Sequence, residues 1–279
     1  MKKNIIRTIL ICALFPLSYC LLFSAQKLHG ENTITEKRIP TVSIITSVFD
    51  PDNLFMEQFL YDITRQTIFA DCELILIQPP HSGDAQGIIE EYMKKYSNIR
   101  YIKIEYDPGL YAVWNMGIRL ARGEFITNAN IDDRRNPSCL EIHAQTLRQD
   151  PSIDLVYSDD YIAYAPNTLF EDQHTDNIRR IAEFSQKLMY LPLPGPMPLW
   201  RKSAHARCGY FIEYFSSSAS LEMWNRMVSR GMKFKKIPGL SGVYYLNPKG
   251  VSTDKAVEKV NKRKKEDAII VCLYSYLWK

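Results

Sequence analysis

The sequence predicts an α/β domain built on a mostly parallel β-sheet with helices on both faces. Three observations carry this expectation. Short β-branched runs recur along the first half of the chain, segments with apolar residues at helical spacing lie between them, and only a few residues connect one to the next. Thr41–Val48 (TVSIITSV) reads as the first buried strand and stops at Phe49-Asp50-Pro51-Asp52, a turn signal. Leu54, Phe55, Phe59, Leu60 and Ile63 then mark a helix, and Glu73–Ile77 (ELILI) a second buried strand ended by Pro79-Pro80. Ile88, Ile89, Tyr92 and Met93 mark the next helix, Ile99–Ile104 the third strand, and Trp114, Ile118 and Leu120 a third helix ending at Gly123. Phe125–Thr127 begins a fourth strand that runs into Asn130-Ile131-Asp132-Asp133.

The second half is less regular. Ile153–Tyr157 reads as a strand ending at Ser158-Asp159-Asp160, Leu221–Val228 as a helix, and Gly239–Leu246 as a strand. Residues 165–193 show no clear period and read as a long, partly helical excursion; Ala268–Trp278 reads as a short apolar helix. In sheets of this kind ligands bind beyond the carboxyl ends of the strands. The residues just after each strand are therefore the ones to search for chemistry.

Composition narrows the function classes. At 279 residues, 46% hydrophobic and 24% charged, the chain suits one sizeable globular domain with short extensions. The net charge of +4 is mild, and the basic run Lys259, Lys262, Arg263, Lys264, Lys265 stands beside no RNA- or DNA-binding motif. Six cysteines are scattered without a C-x-x-C pair, which argues against a zinc ligand set or a disulfide framework. At the N-terminus, Lys2, Lys3 and Arg7 precede the uncharged run Thr8–Phe23. This predicts a signal peptide or membrane anchor over 1–25, with the rest of the chain exported or membrane-associated. A cytoplasmic site of catalysis stays open beside it. A polar linker over 26–40, a catalytic domain over 41–252 and a helical tail over 253–279 complete the expected organisation.

The order of the motifs resembles the family 2 inverting glycosyltransferases, which have a GT-A fold. The likeness runs from about Val42 to Ser252. VSIITSVFD is similar to the family's first strand, and Arg65-Gln66-Thr67 to the triplet that closes its first helix. DPGLYAVWNMGIRLARGEFI resembles the stretch that closes on the nucleotide. NANIDDRRNP falls where the metal-binding D-x-D segment falls, and WRKSAHARCGYF, LEMWNRMVSRG and YYLNPKGVST resemble the later acceptor-side pieces.

The resemblance implies a nucleotide-sugar donor, a glycan or other hydroxyl acceptor, a divalent cation (Mn or Mg), and no nucleic acid partner. A leaving sugar diphosphate carries negative charge that a cation on one or two carboxylates neutralises. Asp132 and Asp133 are the candidate metal ligands, and Asn130 replaces the first carboxylate, giving N-x-D. Arg134 offers a guanidinium to diphosphate or to a neighbouring carboxylate. Asp50 and Gln78, after the first two strands, are candidate contacts to the donor; Gly109, Tyr111 and Asn115 would close on it. Inversion at a hydroxyl acceptor needs a general base. The family's aspartate falls on Ser220, so Glu222, two residues on, is the candidate carboxylate. Asn247 stands where some relatives carry a metal-completing histidine. These departures keep a rival reading open: a non-catalytic nucleotide-sugar or glycan-binding protein on the same fold.

Overall fold

The computed structural model describes residues 39–50, 52–80, 83–173, 177–191 and 193–279. The expected leader over 1–25 and nearly all of the linker lie outside them. Among the described residues no helix is long and apolar enough to cross a membrane.

β1 (Val42–Ser47), α1 (Met56–Ile63), β2 (Cys72–Gln78), α2 (Gln86–Lys95), β3 (Ile99–Lys103), α3 (Leu110–Leu120) and β4 (Phe125–Asn128) alternate in chain order. The four strands are parallel, in the spatial order β3-β2-β1-β4. Alternation of side chains divides them between two faces. Ile45, Ile75, Ile77 and Ile126 pack on one side with α3, whereas Val42, Ile44, Leu74, Leu76 and Phe125 pack on the other with α1 and α2. Burial on both faces is why β1, β2 and β4 read as nearly continuous apolar runs, whereas the edge strand β3 is only partly buried.

The chain continues through β5 (Arg134–Arg135), α4 (Cys139–Gln149), β6 (Leu155–Ala163), β7 (Ile178–Arg179), β8 (Leu199–Arg201), α5 (Ala204–Cys208), α6 (Ala219–Ser229), β9 (Phe234–Tyr245) and α7 (Val257–Tyr274). The sheet extends as β4-β8-β6-β9-β5. β8 runs antiparallel to both neighbours, while β6 and β9 are parallel to each other. β5 joins the edge at β9, and β7 pairs with β6. The sheet is thus mixed but mostly parallel, flanked by helices on both faces.

Several elements differ from the expectation. Residues 165–193 contain no α-helix where they are described, only β7 and a 3₁₀ turn at Gln186–Leu188. The expected strand over 239–246 begins five residues earlier, at Phe234. Pro238 and Gly239 interrupt its pattern at a bulge, where the register shifts between Tyr157 and Asp159 and Gly239 takes φ +102°. α4 supplies Leu140, Ala144 and Leu147 to the core beside α1. The C-terminal helix spans Val257–Tyr274 rather than 268–278 and buries Glu266, Ile270 and Tyr274. The basic run lies on its first half. Cys72, Cys139 and Cys208 are buried free thiols, whereas Cys272 is exposed.

Candidate functional site

A cavity of about 410 Å³ opens beyond the carboxyl ends of β1 and β4 and extends to the first turn of α6. Asn130, Asp132 and Asn247 line it together, with Tyr111, Trp114 and Phe55 nearby. Ser217, Ser220 and Trp224 line it on the α6 side, and Arg179, Leu193 and Gly195 come from the irregular excursion.

The loop after β4 sorts its two aspartates in opposite directions. Asp132 faces the cavity, and its Oδ2 accepts a hydrogen bond from Asn247 Nδ2 at 2.8 Å. Asp133 turns into the protein, where Oδ2 accepts from Asn130 Nδ2 at 3.0 Å and Oδ1 from the Tyr245 N–H at 3.1 Å. Burial raises the pKa of both above the usual carboxylate range, and for Asp133 the neighbouring Asp132 charge adds to the rise. Of the two expected metal ligands, Asp132 lines the cavity and Asp133 does not. Gly242 makes the arrangement possible: a Cβ there would lie 2.1 Å from the Arg134 carbonyl oxygen, so β9 approaches β5 closely enough for Tyr245 to reach Asp133.

Arg134 does not reach the cavity. Its side chain is buried, Nη1 donates to the carbonyls of Ile131 and Asp133 at 2.8 and 2.6 Å, and Nη2 donates to Asn167 Oδ1. Arg135 is likewise turned inward, to Thr127 Oγ1 and the Asn128 carbonyl. Both guanidiniums brace the loop that presents Asp132.

Asp50 is also spoken for. Its carboxylate accepts from the N–H groups of Leu54, Phe55 and Met56 at 2.9, 2.7 and 3.1 Å, capping the entry to α1. Gln78 uses both ends of its amide, donating to the Gly83 carbonyl at 3.0 Å and accepting from Tyr101 Oη. Asn115 clamps Phe211, with Nδ2 donating to its carbonyl at 2.9 Å and Oδ1 accepting from its N–H at 3.0 Å. None of the three lines the cavity. Gly109 takes φ +88° at the start of α3, where its N–H donates to Asp107 Oδ1 at 2.9 Å. Tyr111 does line the cavity, and its hydroxyl donates to the Ser217 carbonyl at 2.8 Å, tying the start of α3 to the start of α6.

At the α6 end, Ser220 lines the cavity and Glu222 does not. Glu222 is buried and takes a bidentate contact from Arg226, Nε to Oε1 at 2.9 Å and Nη2 to Oε2 at 2.7 Å. Tyr274 Oη adds a third hydrogen bond at 2.7 Å. Both oxygens of Glu222, the expected base, are thus committed to joining α6 and α7. Turning Glu222 toward the cavity would break its pair with half-buried Arg226, at a cost of about 3 kcal/mol.

Arg179 was missed in the sequence because the excursion around it has no period. The signal available was charge complementarity, Arg179-Arg180 against Asp159-Asp160. In the fold, Arg179 makes a bidentate pair with buried Asp160 at 2.9 and 2.7 Å, and its guanidinium lies 4.3 Å from the Tyr244 ring centroid. Trp224 forms cavity wall, whereas Trp200 is core, edge-on to Trp224 at 5.3 Å.

The fold is shared with known proteins. The family described as glycosyl transferase family 2 matches residues 43–211. An uncharacterized glycosyltransferase of Methanocaldococcus jannaschii is 23% identical over 239 residues, which is 85% of this chain and 77% of that protein. Among solved structures, S. aureus TarS 1-349 in complex with UDP-GlcNAc superimposes with a TM-score of 0.65 at 14% identity, over 83% of this chain and 66% of that one. The mannosyltransferase PcManGT from Pyrobaculum calidifontis, in complex with GDP-Man and Mn2+, gives 0.59 at 14% identity, over 76% of this chain and 58% of that one. The chain therefore spans less than two thirds of each of these two solved proteins. With more than half of its residues matched by the family, and with a GT-A fold, this chain belongs to glycosyl transferase family 2 and is a glycosyltransferase.

Proposed function

We propose that the protein transfers a sugar from a nucleoside diphosphate sugar, with a divalent cation, to an oxygen of a second substrate and inverts the anomeric carbon. One observation carries the reading: a single cavity joins Asn130, Asp132 and Asn247 to Ser220 and Trp224. TarS 1-349 with UDP-GlcNAc and PcManGT with GDP-Man support a nucleotide-sugar donor, and Mn2+ in the latter supports the cation.

The donor set fits a hard cation. Among the described residues no cluster of three or more His, Cys, Asp or Glu side chains forms a protein cage. One carboxylate beside two side-chain amides suits a cation that takes its remaining ligands from phosphate oxygens and water. When bound, the cation supplies Lewis-acid neutralisation of the departing diphosphate. Asp132 would hold it, with Asn130 as an amide-oxygen partner, while Asn247, whose Oδ1 accepts from the Lys249 N–H at 3.0 Å, would keep the Asp132 carboxylate oriented. Tyr111 and Trp114 would wall the cavity against water.

The composition of the wall supports inversion. A double displacement needs a protein nucleophile at the anomeric carbon. Among the described lining residues Asp132 is the sole carboxylate, and it belongs with the diphosphate. A single displacement inverts. The rival reading, a binding protein without turnover, rests on the uncharged Ser220. Incubation with UDP-GlcNAc, UDP-glucose and GDP-mannose with Mn2+, followed by release of UDP or GDP and NMR of the product anomer, separates them. Release of nucleotide with an inverted product supports the proposal; tight binding with no release under any acceptor supports the rival.

A further inference from the structure

We propose that the acceptor presents an oxygen that is already ionised, a phosphate monoester, and that Arg179 binds it. This rests on the nucleotide-sugar reading above and names the second substrate's class.

A neutral hydroxyl needs its proton removed, and a positioned base is worth about 10²–10⁴-fold. Ser220 supplies only a hydroxyl at the α6 end, and both oxygens of Glu222 are committed to Arg226 and Tyr274. Asp132, the remaining carboxylate of the described wall, is turned to Asn247 on the donor side. A phosphate monoester needs no base, since its second ionisation falls near pH 6. The wall also lacks what would repel it: Ser220 stands uncharged where a carboxylate would oppose an anion.

Arg179 supplies the matching cation. Asp160 fixes Nε and Nη2, and Tyr244 supports the face of the guanidinium. Nη1 has no protein acceptor among the described residues, and the side chain keeps 31% of its surface exposed while lining the cavity. A guanidinium held flat with one edge open suits phosphate oxygens. The other cationic lining residue, Lys249, is largely exposed and paired with Asp52 at 3.0 Å. In the reaction a phosphate oxygen lone pair forms the new bond to the anomeric carbon. The bond from that carbon to the diphosphate oxygen breaks, and its electron pair leaves with the nucleoside diphosphate. No proton moves.

The test offers matched acceptors to the full chain with Mn2+ and UDP-GlcNAc, UDP-glucose or GDP-mannose: dodecyl phosphate against dodecanol, and glucose 6-phosphate against glucose. The phosphate of a pair should accept at least about 100-fold faster than its alcohol, with a phosphodiester visible by ³¹P NMR. Preference for the dodecyl or the glucose ester assigns a lipid or a soluble carrier. Arg179→Gln should weaken calorimetric binding of the preferred phosphate at least about 10-fold without changing nucleotide affinity, and Arg179→Lys should restore part of it. Arg179→Lys keeps a partner for Asp160, so it reports even where the glutamine variant folds poorly. Equal transfer to alcohol and phosphate, or unchanged phosphate binding in both variants, overturns this proposal alone. Failure of the wild type to bind or consume any donor overturns the nucleotide-sugar reading and this proposal with it.

Discussion

The two ends of the cavity are built in different ways. The end proposed for the donor grows from one local segment: β4 stops at Asn128, and within five residues the loop has presented Asn130 and Asp132 and buried Asp133. The end proposed for the acceptor is assembled from pieces far apart in sequence. Glu266 of α7 accepts from the N–H groups of Ser216, Ser217 and Ser218 at 2.7, 3.0 and 2.9 Å, fixing the entry to α6 from about fifty residues away. Glu222, Arg226 and Tyr274 latch the same two helices together, and Asp160 holds Arg179 across the excursion. The difference teaches that a local turn can place a charged group, but a surface for a second substrate needs long-range polar contacts to hold it.

Substitutions at the two ends should therefore fail differently. Asp132→Ala removes the cavity's carboxylate and leaves the latches intact. Turnover and Mn2+-dependent nucleotide affinity should both fall by at least about 100-fold, the upper range seen when mere outer-shell partners of metal ligands are removed. The unfolding midpoint without nucleotide should not fall. Nucleotide titration with and without Mn2+ checks this, and undiminished affinity in the variant would sink the assignment.

Glu222→Gln should act on stability first. It breaks the bidentate pair of buried Glu222 with half-buried Arg226 and should lower unfolding free energy by about 3 kcal/mol in urea, while donor affinity of the folded fraction holds. A loss of turnover with normal stability would instead return Glu222 to a direct catalytic role.

Glu266→Gln is milder, because an amide oxygen still accepts part of the loop's hydrogen bonds. It should cost about 1–3 kcal/mol and weaken acceptor use more than donor binding. Burial opposes ionisation of Glu266, but the Ser216, Ser217 and Ser218 donors outweigh it and hold its pKa below the usual value. Its contribution is thus present above the unfolded glutamate pKa and fades as pH falls toward the depressed folded value.

The smallest effect is a pH slope from the core between the two ends. Burial pushes His205 from 6.5 to about 4, its Nε2 accepting from Trp200 Nε1 at 3.0 Å and Nδ1–H donating to the Gly209 carbonyl at 2.8 Å. The unfolded chain takes up this proton first, so stability is fully present above 6.5 and lost as pH falls toward 4. The slope is about 1 kcal/mol for the first pH unit below 6.5. Asp62 and Asp160, both raised to about 6 by burial, run the other way: their stabilisation is lost as pH rises through 6. The measurement is accordingly a difference, urea midpoints of wild type minus His205→Gln between pH 5 and 7. A flat difference would show that His205 titrates normally.

Much of the fold was legible in the chain, for a physical reason. β1, β2 and β4 are buried on both faces, so their apolar runs need no tertiary context to be read, and short links along β1 to β4 leave little topological freedom. The N-x-D segment was equally readable, because it must follow a strand that was already placed. Side-chain direction was not. Successive residues of a turn point different ways, so Asp132 and Asp133 look alike in sequence and part company in space. Asp50, Gln78, Asn115, Arg134 and Glu222 had the right chemistry beside the right elements, and each is consumed by a local or long-range hydrogen bond. Arg179 carried no periodic signal at all. Sequence alone determined the layered α/β core and the loop bearing Asp132, since both follow from burial and chain order. Tertiary structure alone decided which polar groups face the cavity, because a carboxylate or guanidinium goes wherever its strongest partner lies, and those partners sit as much as 115 residues away.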